Sequence, residues 1–320
     1  MNVLSLFDGI SCARLALQEA GIRVDKYYAS EIDSAAIEVS KNNFPDIIHI
    51  GDVSKVSFKE NRLITENGIF DTGQIDLVIG GSPCQSFSKR GNQRNFDDSR
   101  GRLIYEFERL LSETDAPYFL LENVMMNKRH QDAITSIFNV EPVEINSALV
   151  TAQNRVRLYW TNIDGVEVPE DRGVLLQDIL ESGFSERDKA YCVTATYSNA
   201  TAQNYFINRE RQLKFKHPVE KSGNRYRLHD GTIVDIYPEA GLNRNYYSLQ
   251  LLKPYLSKLT PEEVEKLQGI PIGYTKSVAN HLRYKLLGNG WTVPVISHIL
   301  KRLKPDHTPY NIKHLPEQKR

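Results

Sequence analysis

Val3-Leu4-Ser5-Leu6-Phe7-Asp8-Gly9-Ile10-Ser11-Cys12-Ala13-Arg14-Leu15-Ala16-Leu17-Gln18-Glu19-Ala20-Gly21 reads as one strand, one tight turn and one helix. Residues 3–7 are an apolar run of strand length, stopped by Asp8-Gly9. Residues 12–20 space Leu15, Leu17 and Ala20 among small residues as a helix does, and Gly21 supplies a C-cap. The alternation continues outward from this unit. Residues 27–32 predict a second strand and 34–43 a second helix. A third strand at 47–50 ends before Gly51-Asp52, and a fourth at 75–79 runs into Gly80-Gly81-Ser82-Pro83. Helix 101–112, strand 118–124, helix 130–138 and strands 144–150 and 156–163 follow. Strand–helix alternation of this kind predicts an α/β fold with a mostly parallel, doubly wound sheet covered on both faces.

The pattern breaks after Asp164. Residues 165–255 are rich in Tyr, Asn and Arg and have poor periodicity. Regularity returns at Thr260-Pro261-Glu262-Glu263, with Thr at the cap, Pro first in the helix and Glu three residues after the Thr. An apolar helix follows at 291–303. The reading is one α/β domain, 1–164 plus 256–303, interrupted by an insertion at 165–255 and followed by a tail at 304–320. The length of 320 residues agrees with about two domains. Basic and acidic residues number 40 each, which excludes a histone-like chain and a long acidic tail but permits local patches. No apolar run approaches the roughly 20 residues that cross a bilayer. The run at 3–7 is too short for a signal-peptide core. Cys12, Cys84 and Cys192 form no close pair, so neither a disulfide framework nor a metal site is expected, and the compartment reads as reducing.

Ligands of doubly wound sheets bind at the carboxyl ends of the strands. The first such end, Phe7-Asp8-Gly9-Ile10-Ser11, lacks the G-x-G-x-x-G fingerprint, which argues against a nicotinamide dehydrogenase. An Asp beside a helix N-terminus disfavours a pyrophosphate and suits a ligand with an ammonium group. Glu31 at the second end is placed as ribose-binding acids are, and Asp52 at the third can accept from an adenine amino group. Each acid alone is equally a helix cap or turn residue. Together they describe a phosphate-free adenosine ligand, and S-adenosylmethionine fits. At the other strand ends stand Cys84, Glu122 and the arginines Arg155 and Arg157, which strand alternation would set on one face. Cys84 is either a small buried hydrophobe or a nucleophile. Lys89, Arg90, Arg94, Arg100 and Arg102 on its loop favour the thiolate. Between residues 190 and 229 seven basic residues, including Arg209, Arg211, Arg225 and Arg227, stand against two acids, a local excess of five. Tyr191, Tyr197, Tyr205, Phe206, Phe215 and Tyr226 are interleaved with them. That composition suits nucleic-acid contact, or else the solvated face of a small ordinary domain.

The ordered set Phe7-Asp8-Gly9, Glu31, Asp52, Pro83-Cys84-Gln85, Glu122-Asn123-Val124, Gln153-x-Arg155-x-Arg157 and Gly288-Asn289-Gly290-Trp291-Thr292-Val293-Pro294 resembles the DNA cytosine-5 methyltransferase family. It spans nearly the whole chain. Segments 6–10, 80–84, 101–111 and 269–296 are especially similar to the eukaryotic de novo enzymes. Ser11 departs from the family's first motif, where many relatives carry a second glycine, and Asn289 follows the bacterial pattern. The resemblance implies a Rossmann-like S-adenosylmethionine-dependent methyltransferase fold with a target recognition domain at 165–255. It implies that Cys84 adds to carbon 6 of a flipped cytosine, making carbon 5 able to attack the sulfonium methyl. Glu122 would hold the ring nitrogen 3 edge, Arg157 the exocyclic oxygen, and Arg155 would support Glu122 and the cysteine loop. Phe7, Asp8, Gly9, Ile10, Ser11, Glu31, Ile32, Asp52, Val53, Pro83, Leu103, Asn289 and Trp291 would surround the cofactor, leaving S-adenosylhomocysteine as product. Gln85, Ser88, Lys89, Arg90, Arg209, Arg211, Arg225 and Arg227 would contact DNA.

The implied partners are double-stranded DNA and a cognate restriction endonuclease, with no membrane. The chain would be a monomer or weak homo-oligomer at the nucleoid, in the cytoplasm of a bacterium or a phage-infected cell. Two rivals stand beside this reading. One is a transfer RNA cytosine-5 methyltransferase, which only the inserted segment could distinguish. The other is an inactive regulatory homologue, against which Cys84, Glu122, Arg155 and Arg157 argue.

Overall fold

The computed structural model describes residues 1–82 and 103–303. Contacts divide the chain into two compact units: 1–145, 156–169 and the segment from 295 form the first, and 146–155 with 170–294 form the second. Among the described residues no helix is long and apolar enough to cross a membrane.

The first unit alternates as the sequence predicts. Strand β1 (Asn2–Leu6) leads to α1 (Cys12–Glu19), β2 (Lys26–Ser30) to α2 (Ser34–Asn43), and then comes the short β3 (Ile48–His49). Asp33 starts α2 by accepting from the Ala35 backbone at 3.0 Å. Three short strands, β4 (Ser57–Lys59), β5 (Arg62–Thr65) and β6 (Gly68–Asp71), make a separate antiparallel sheet. The main path resumes with β7 (Leu77–Gly80), α3 (Leu103–Thr114), β8 (Tyr118–Val124), α4 (Lys128–Phe138), β9 (Val143–Asn146) and β10 (Val156–Thr161). The main sheet runs β3-β2-β1-β7-β8-β10-β9. The pairings from β3 through β8 are parallel, and β10 is antiparallel to β8. The chain leaves β1 toward β2 on one side and returns to β7 on the other, so the carboxyl end of β1 lies at the topological switch point where such sheets bind ligands. Gly80 permits this close approach, because a Cβ there would stand 2.5 Å from the Leu6 carbonyl oxygen. Leu4, Leu6, Val78, Phe107, Phe119, Leu121, Leu158 and Trp160 are fully or almost fully buried in one cluster. This apolar burial is the main favourable contribution to the unit's stability.

Strand β9 ends earlier than expected from residues 144–150. The Asn146 side chain accepts from the Ala148 backbone at 3.0 Å and turns the chain into a single 3-10 turn, Ser147–Leu149.

The second unit holds α5 (Leu176–Ile179), α6 (Ala202–Phe206), β11 (Leu213–Phe215), β12 (Glu220–Ser222), β13 (Arg225–Arg227), β14 (Ile233–Asp235), α7 (Gly241–Leu252), β15 (Leu256–Lys258), α8 (Pro261–Leu267) and α9 (Asn280–Asn289). The last helix, α10 (Val293–Leu300), leads back to the first unit at Val295. The capping box stands as read from sequence: Thr260 Oγ1 accepts from the Glu263 backbone at 3.1 Å, and Glu263 Oε2 accepts from the Thr260 backbone at 2.8 Å. Glu263 Oε1 also meets Lys214 Nζ at 2.6 Å, with side chains 0% and 4% exposed. This buried pair, with the β11–β15 pairing, ties residues after 255 to the second unit. The sequence reading returned the chain to the first domain at 256, whereas the contacts place that return at 295.

Candidate active site

The loop after β1 has an alternating left-handed backbone: φ is 57° at Phe7, 59° at Gly9 and 59° at Ser11. Only glycine takes this region freely; a side-chain residue there costs roughly 1–2 kcal/mol. Ser11 stands at such a position, and its hydroxyl donates to Asp8 Oδ2 at 2.5 Å and lies 2.6 Å from Ser40 Oγ. Asp8 Oδ1 accepts from Ser5 Oγ at 2.5 Å and from the Tyr27 hydroxyl at 2.6 Å. The Asp8 carboxylate, expected to face a ligand's ammonium group, is therefore turned inward, because three buried hydroxyls satisfy it there. The Ser11 side chain is likewise fully buried. Ile10 and Val53 are 1% and 5% exposed. Phe7 and Leu103 are partly buried and pack on the core cluster. No sequence motif marks Ser5, Tyr27 and Ser40; the one signal is a serine within the apolar run at 3–7.

Glu31, at the carboxyl end of β2, joins two strand ends. Its Oε2 accepts from the Gly9 backbone at 2.8 Å, and its Oε1 accepts from Ile32 and Asp33 at 2.7 and 2.8 Å. A carboxylate offers about four acceptor positions, so capacity for a hydroxyl remains. Asp52 caps a 3-10 turn, its Oδ1 accepting from the Ser54 backbone at 3.0 Å and the Ser54 hydroxyl at 2.9 Å; Oδ2 is left for another donor. Ile32, next to Glu31, is 75% exposed. An exposed apolar side chain flanked by two acceptors fits an adenosine group.

Glu122 lies in β8 and Arg157 in β10. The register sets Arg157 opposite Val124, one diagonal step from Glu122, so both side chains share a face. Arg157 Nε approaches Glu122 Oε1 at 3.0 Å, with side chains 14% and 10% exposed. Asn123 fixes the strand end by donating to Ser82 Oγ at 3.1 Å.

Arg155 does something different. It precedes β10, where strand alternation does not yet hold, and its guanidinium donates to the carbonyls of Val193 at 3.0 Å, Gly288 at 3.3 Å and Gly290 at 2.9 Å. Of the two arginines it is therefore Arg157 that pairs with Glu122, while Arg155 organises the Gly288-Asn289-Gly290 turn. Gly288 is required there, because a Cβ would stand 2.2 Å from the Thr194 carbonyl carbon. Buried Gln153 joins the same network, accepting from the Val193 backbone at 2.7 Å. Asn289 is exposed at the end of α9 and Trp291 is half-buried. Pro83, Cys84, Gln85, Ser88, Lys89 and Arg90 lie outside the described residues.

Four of the seven basic residues between 190 and 229 pair with acids from outside that window. Arg209 pairs with Glu239 at 2.8 Å, Lys214 with Glu263, Lys221 with Glu186 at 2.9 Å and Arg225 with Asp235 at 2.9 Å. Arg227 stands 3.9 Å from Glu220, and Arg211 donates to Thr196 Oγ1 at 2.9 Å. The interleaved aromatics are mostly core. Tyr197, Tyr205, Phe206, Phe215 and Tyr226 are at most 5% exposed, and Phe206 meets Tyr205 and Tyr226 at ring separations of 4.7 and 5.4 Å. The exposed aromatics of this unit include Tyr246 and Tyr247 on α7, at 50% and 80%. Arg244 lies beside them, stacked on Tyr237 at 4.9 Å. Composition carries no sign of this exchange, because it cannot distinguish core tyrosines from surface ones.

Comparison with known proteins identifies the family. The family described as C-5 cytosine-specific DNA methylase matches residues 1–305. Type II methyltransferase M1.ScrFI of Lactococcus lactis subsp. cremoris is 29% identical over 323 residues, covering 94% of this chain and 77% of that protein. Type II methyltransferase M.FnuDI of Fusobacterium nucleatum is 28% identical, covering 95% and 94%. The solved methyltransferase EhMeth of Entamoeba histolytica shares the fold, with a TM-score of 0.69 at 14% identity over 94% of this chain and 97% of that one. By sequence family and by fold, the chain belongs to the C-5 cytosine-specific DNA methylase family and is a DNA methyltransferase acting at carbon 5 of cytosine.

Proposed function

We propose that this chain methylates a flipped cytosine within a short duplex target, with Cys84 as nucleophile and Glu122 and Arg157 acting together on the base. The observation that carries the reading is the diagonal Glu122–Arg157 pair at 3.0 Å, held nearly out of water at one sheet end. S-adenosylmethionine, when bound, supplies an electrophilic methyl group. Phe7, Gly9, Glu31, Ile32 and Asp52 are the residues that would hold it, with Glu31 on the ribose hydroxyls and Asp52 on the adenine amino group.

The Cys84 thiolate adds to carbon 6 of the cytosine and makes carbon 5 nucleophilic; once carbon 5 carries the methyl group, a base removes its proton and the Cys84 thiolate leaves carbon 6, restoring the double bond. Glu122 hydrogen-bonds the nitrogen 3 edge, where electron density builds during that addition. Arg157 holds Glu122 in position by their ion pair and reaches the exocyclic oxygen of the base. A stacked base cannot enter such a site, so the target is flipped, at a cost of about a few kcal/mol.

The second unit is the candidate for choosing the target sequence. Exposed ion pairs such as Arg225–Asp235 contribute only about 0–1 kcal/mol, so their arginines can exchange the acid for a DNA phosphate. Arg244, Tyr246 and Tyr247 add an exposed cationic and aromatic surface beside them. The relatives' designation as type II methyltransferases supports a modification role with a cognate endonuclease.

The test is incubation with labelled S-adenosylmethionine and either duplex DNA or transfer RNA, followed by bisulfite sequencing. Label at one DNA sequence context is expected, and label confined to transfer RNA would refute the reading. Cys84→Ser should lose methyl transfer yet still bind S-adenosylhomocysteine. Glu122→Gln should slow turnover by roughly 10²–10⁴ at little cost in DNA affinity.

A further inference from the structure

Four side chains that the reaction does not use converge behind the loop at residues 7–11. Asp8 is 9% exposed, and Ser5, Ser11 and Tyr27 are 1%, 0% and 1% exposed. The three hydroxyls reach the one carboxylate at 2.5, 2.5 and 2.6 Å. They come from different elements: Ser5 from β1, Tyr27 from β2 and Ser11 from the start of α1, with Ser11 continuing to Ser40 on α2 at 2.6 Å. Ser40 in turn lies 3.4 Å from His49 Nε2, and Glu31 at the end of β2 is the neighbouring charge. Directly in front of this cluster the backbone alternates through left-handed conformations at Phe7, Gly9 and Ser11, two of which carry side chains. Strain of that kind persists only where surrounding structure over-determines it.

We propose that Asp8 is a positioning residue for the cofactor loop: by gathering the hydroxyls of Ser5, Ser11 and Tyr27, its carboxylate holds Phe7, Gly9 and Ser11 in the conformation that receives S-adenosylmethionine. The inference rests on the reading of residues 7–11 as the cofactor loop. The carboxylate does not face the ligand. It acts through the backbone, keeping the Gly9 amide on Glu31 and the Ser11 amide on the Asp8 carbonyl at 2.8 and 3.1 Å. An amide side chain can fill the same role. Its oxygen would accept from Ser5 and Tyr27, and its nitrogen would donate to Ser11, whose hydroxyl then donates to Ser40.

The test uses the full chain and measures S-adenosylhomocysteine binding by calorimetry, with amide exchange of residues 9–11 in the ligand-free protein. Asp8→Ala should weaken binding by about tenfold or more and speed exchange of those amides, while Asp8→Asn should stay within about threefold of wild type. The KM for S-adenosylmethionine should rise more than kcat falls. If folded Asp8→Ala bound as tightly as wild type, or if Asp8→Asn were as weak as Asp8→Ala, the clamp would be disproved. Tyr27→Phe, which keeps the packing and removes one hydroxyl, should weaken binding by about threefold. It decides the matter if Asp8→Ala does not fold, and unchanged affinity would then overturn the proposal. Wild-type protein that binds no S-adenosylhomocysteine would instead refute the cofactor-loop reading itself.

Discussion

Burial pushes the Asp8 carboxyl from its ordinary 3.8 up to about 6, because desolvating the anion outweighs the hydroxyls of Ser11, Ser5 and Tyr27 that donate to it; the Glu31 charge adds to the rise. The folded protein therefore holds this proton more tightly than the unfolded chain does. The stability this confers is complete below about pH 3.8 and is lost as pH rises through about 6. The interval between those values corresponds to about 3 kcal/mol. Asp8→Asn has no charge to desolvate. Relative to wild type, its stability should rise by about 2 kcal/mol between pH 4.5 and pH 8, read as the difference in urea midpoints at the two pH values. A difference that stayed constant would show that Asp8 does not titrate in this interval. Above about pH 6 the site thus keeps an ionised carboxylate at some cost to the fold, as expected where geometry matters more than stability.

Among the elements, the segment at residues 153–157 divides at the start of β10. Arg157 serves the sheet end, and Arg155 serves the turn at Gly288–Gly290. Lysine has a single ammonium group and cannot reproduce the fork that meets the carbonyls of Val193, Gly288 and Gly290. Arg155→Lys should leave carbonyls unsatisfied and cost about 2–3 kcal/mol, lowering Tm by about 5–10 °C. If Arg155 acted mainly on the cysteine loop, the variant would lose rate at unchanged Tm. The same segment shows how far the sequence could be read. Apolar runs, caps and strand ends gave the parallel sheet, Glu31, Asp52 and the Thr260 capping box, because each depends on local chemistry. The Arg155 partners lie 38 to 135 residues away, and no local pattern records them. Strands β4 to β6 escaped notice for another reason. They are three or four residues long, each with one charged residue, and the β4–β5 turn at Glu60-Asn61 uses φ of 52° and 59° without a glycine.

At the scale of the whole molecule, the boundary of the second unit decides how specificity can be moved between relatives. A graft cut at residues 165 and 255 follows the composition break but separates β11 from β15 and Lys214 from Glu263. Glu263 would then keep its buried position in α8 while losing its cation, and breaking a buried pair on one side costs about 3–5 kcal/mol. A graft cut at 170 and 294, with 146–155 taken from the same donor, moves the β11–β15 pairing, that ion pair and the Arg155–Gly290 contact intact. Two chimaeras with a relative of different target sequence should therefore behave differently. The wider graft should be soluble, melt cooperatively and methylate the donor's target by bisulfite sequencing. The narrower graft should aggregate or melt at least about 10 °C lower. A wider graft that folds but keeps the recipient's target would remove sequence choice from the second unit. A narrower graft as stable as the parents would show that residues 256–294 belong to the first unit after all.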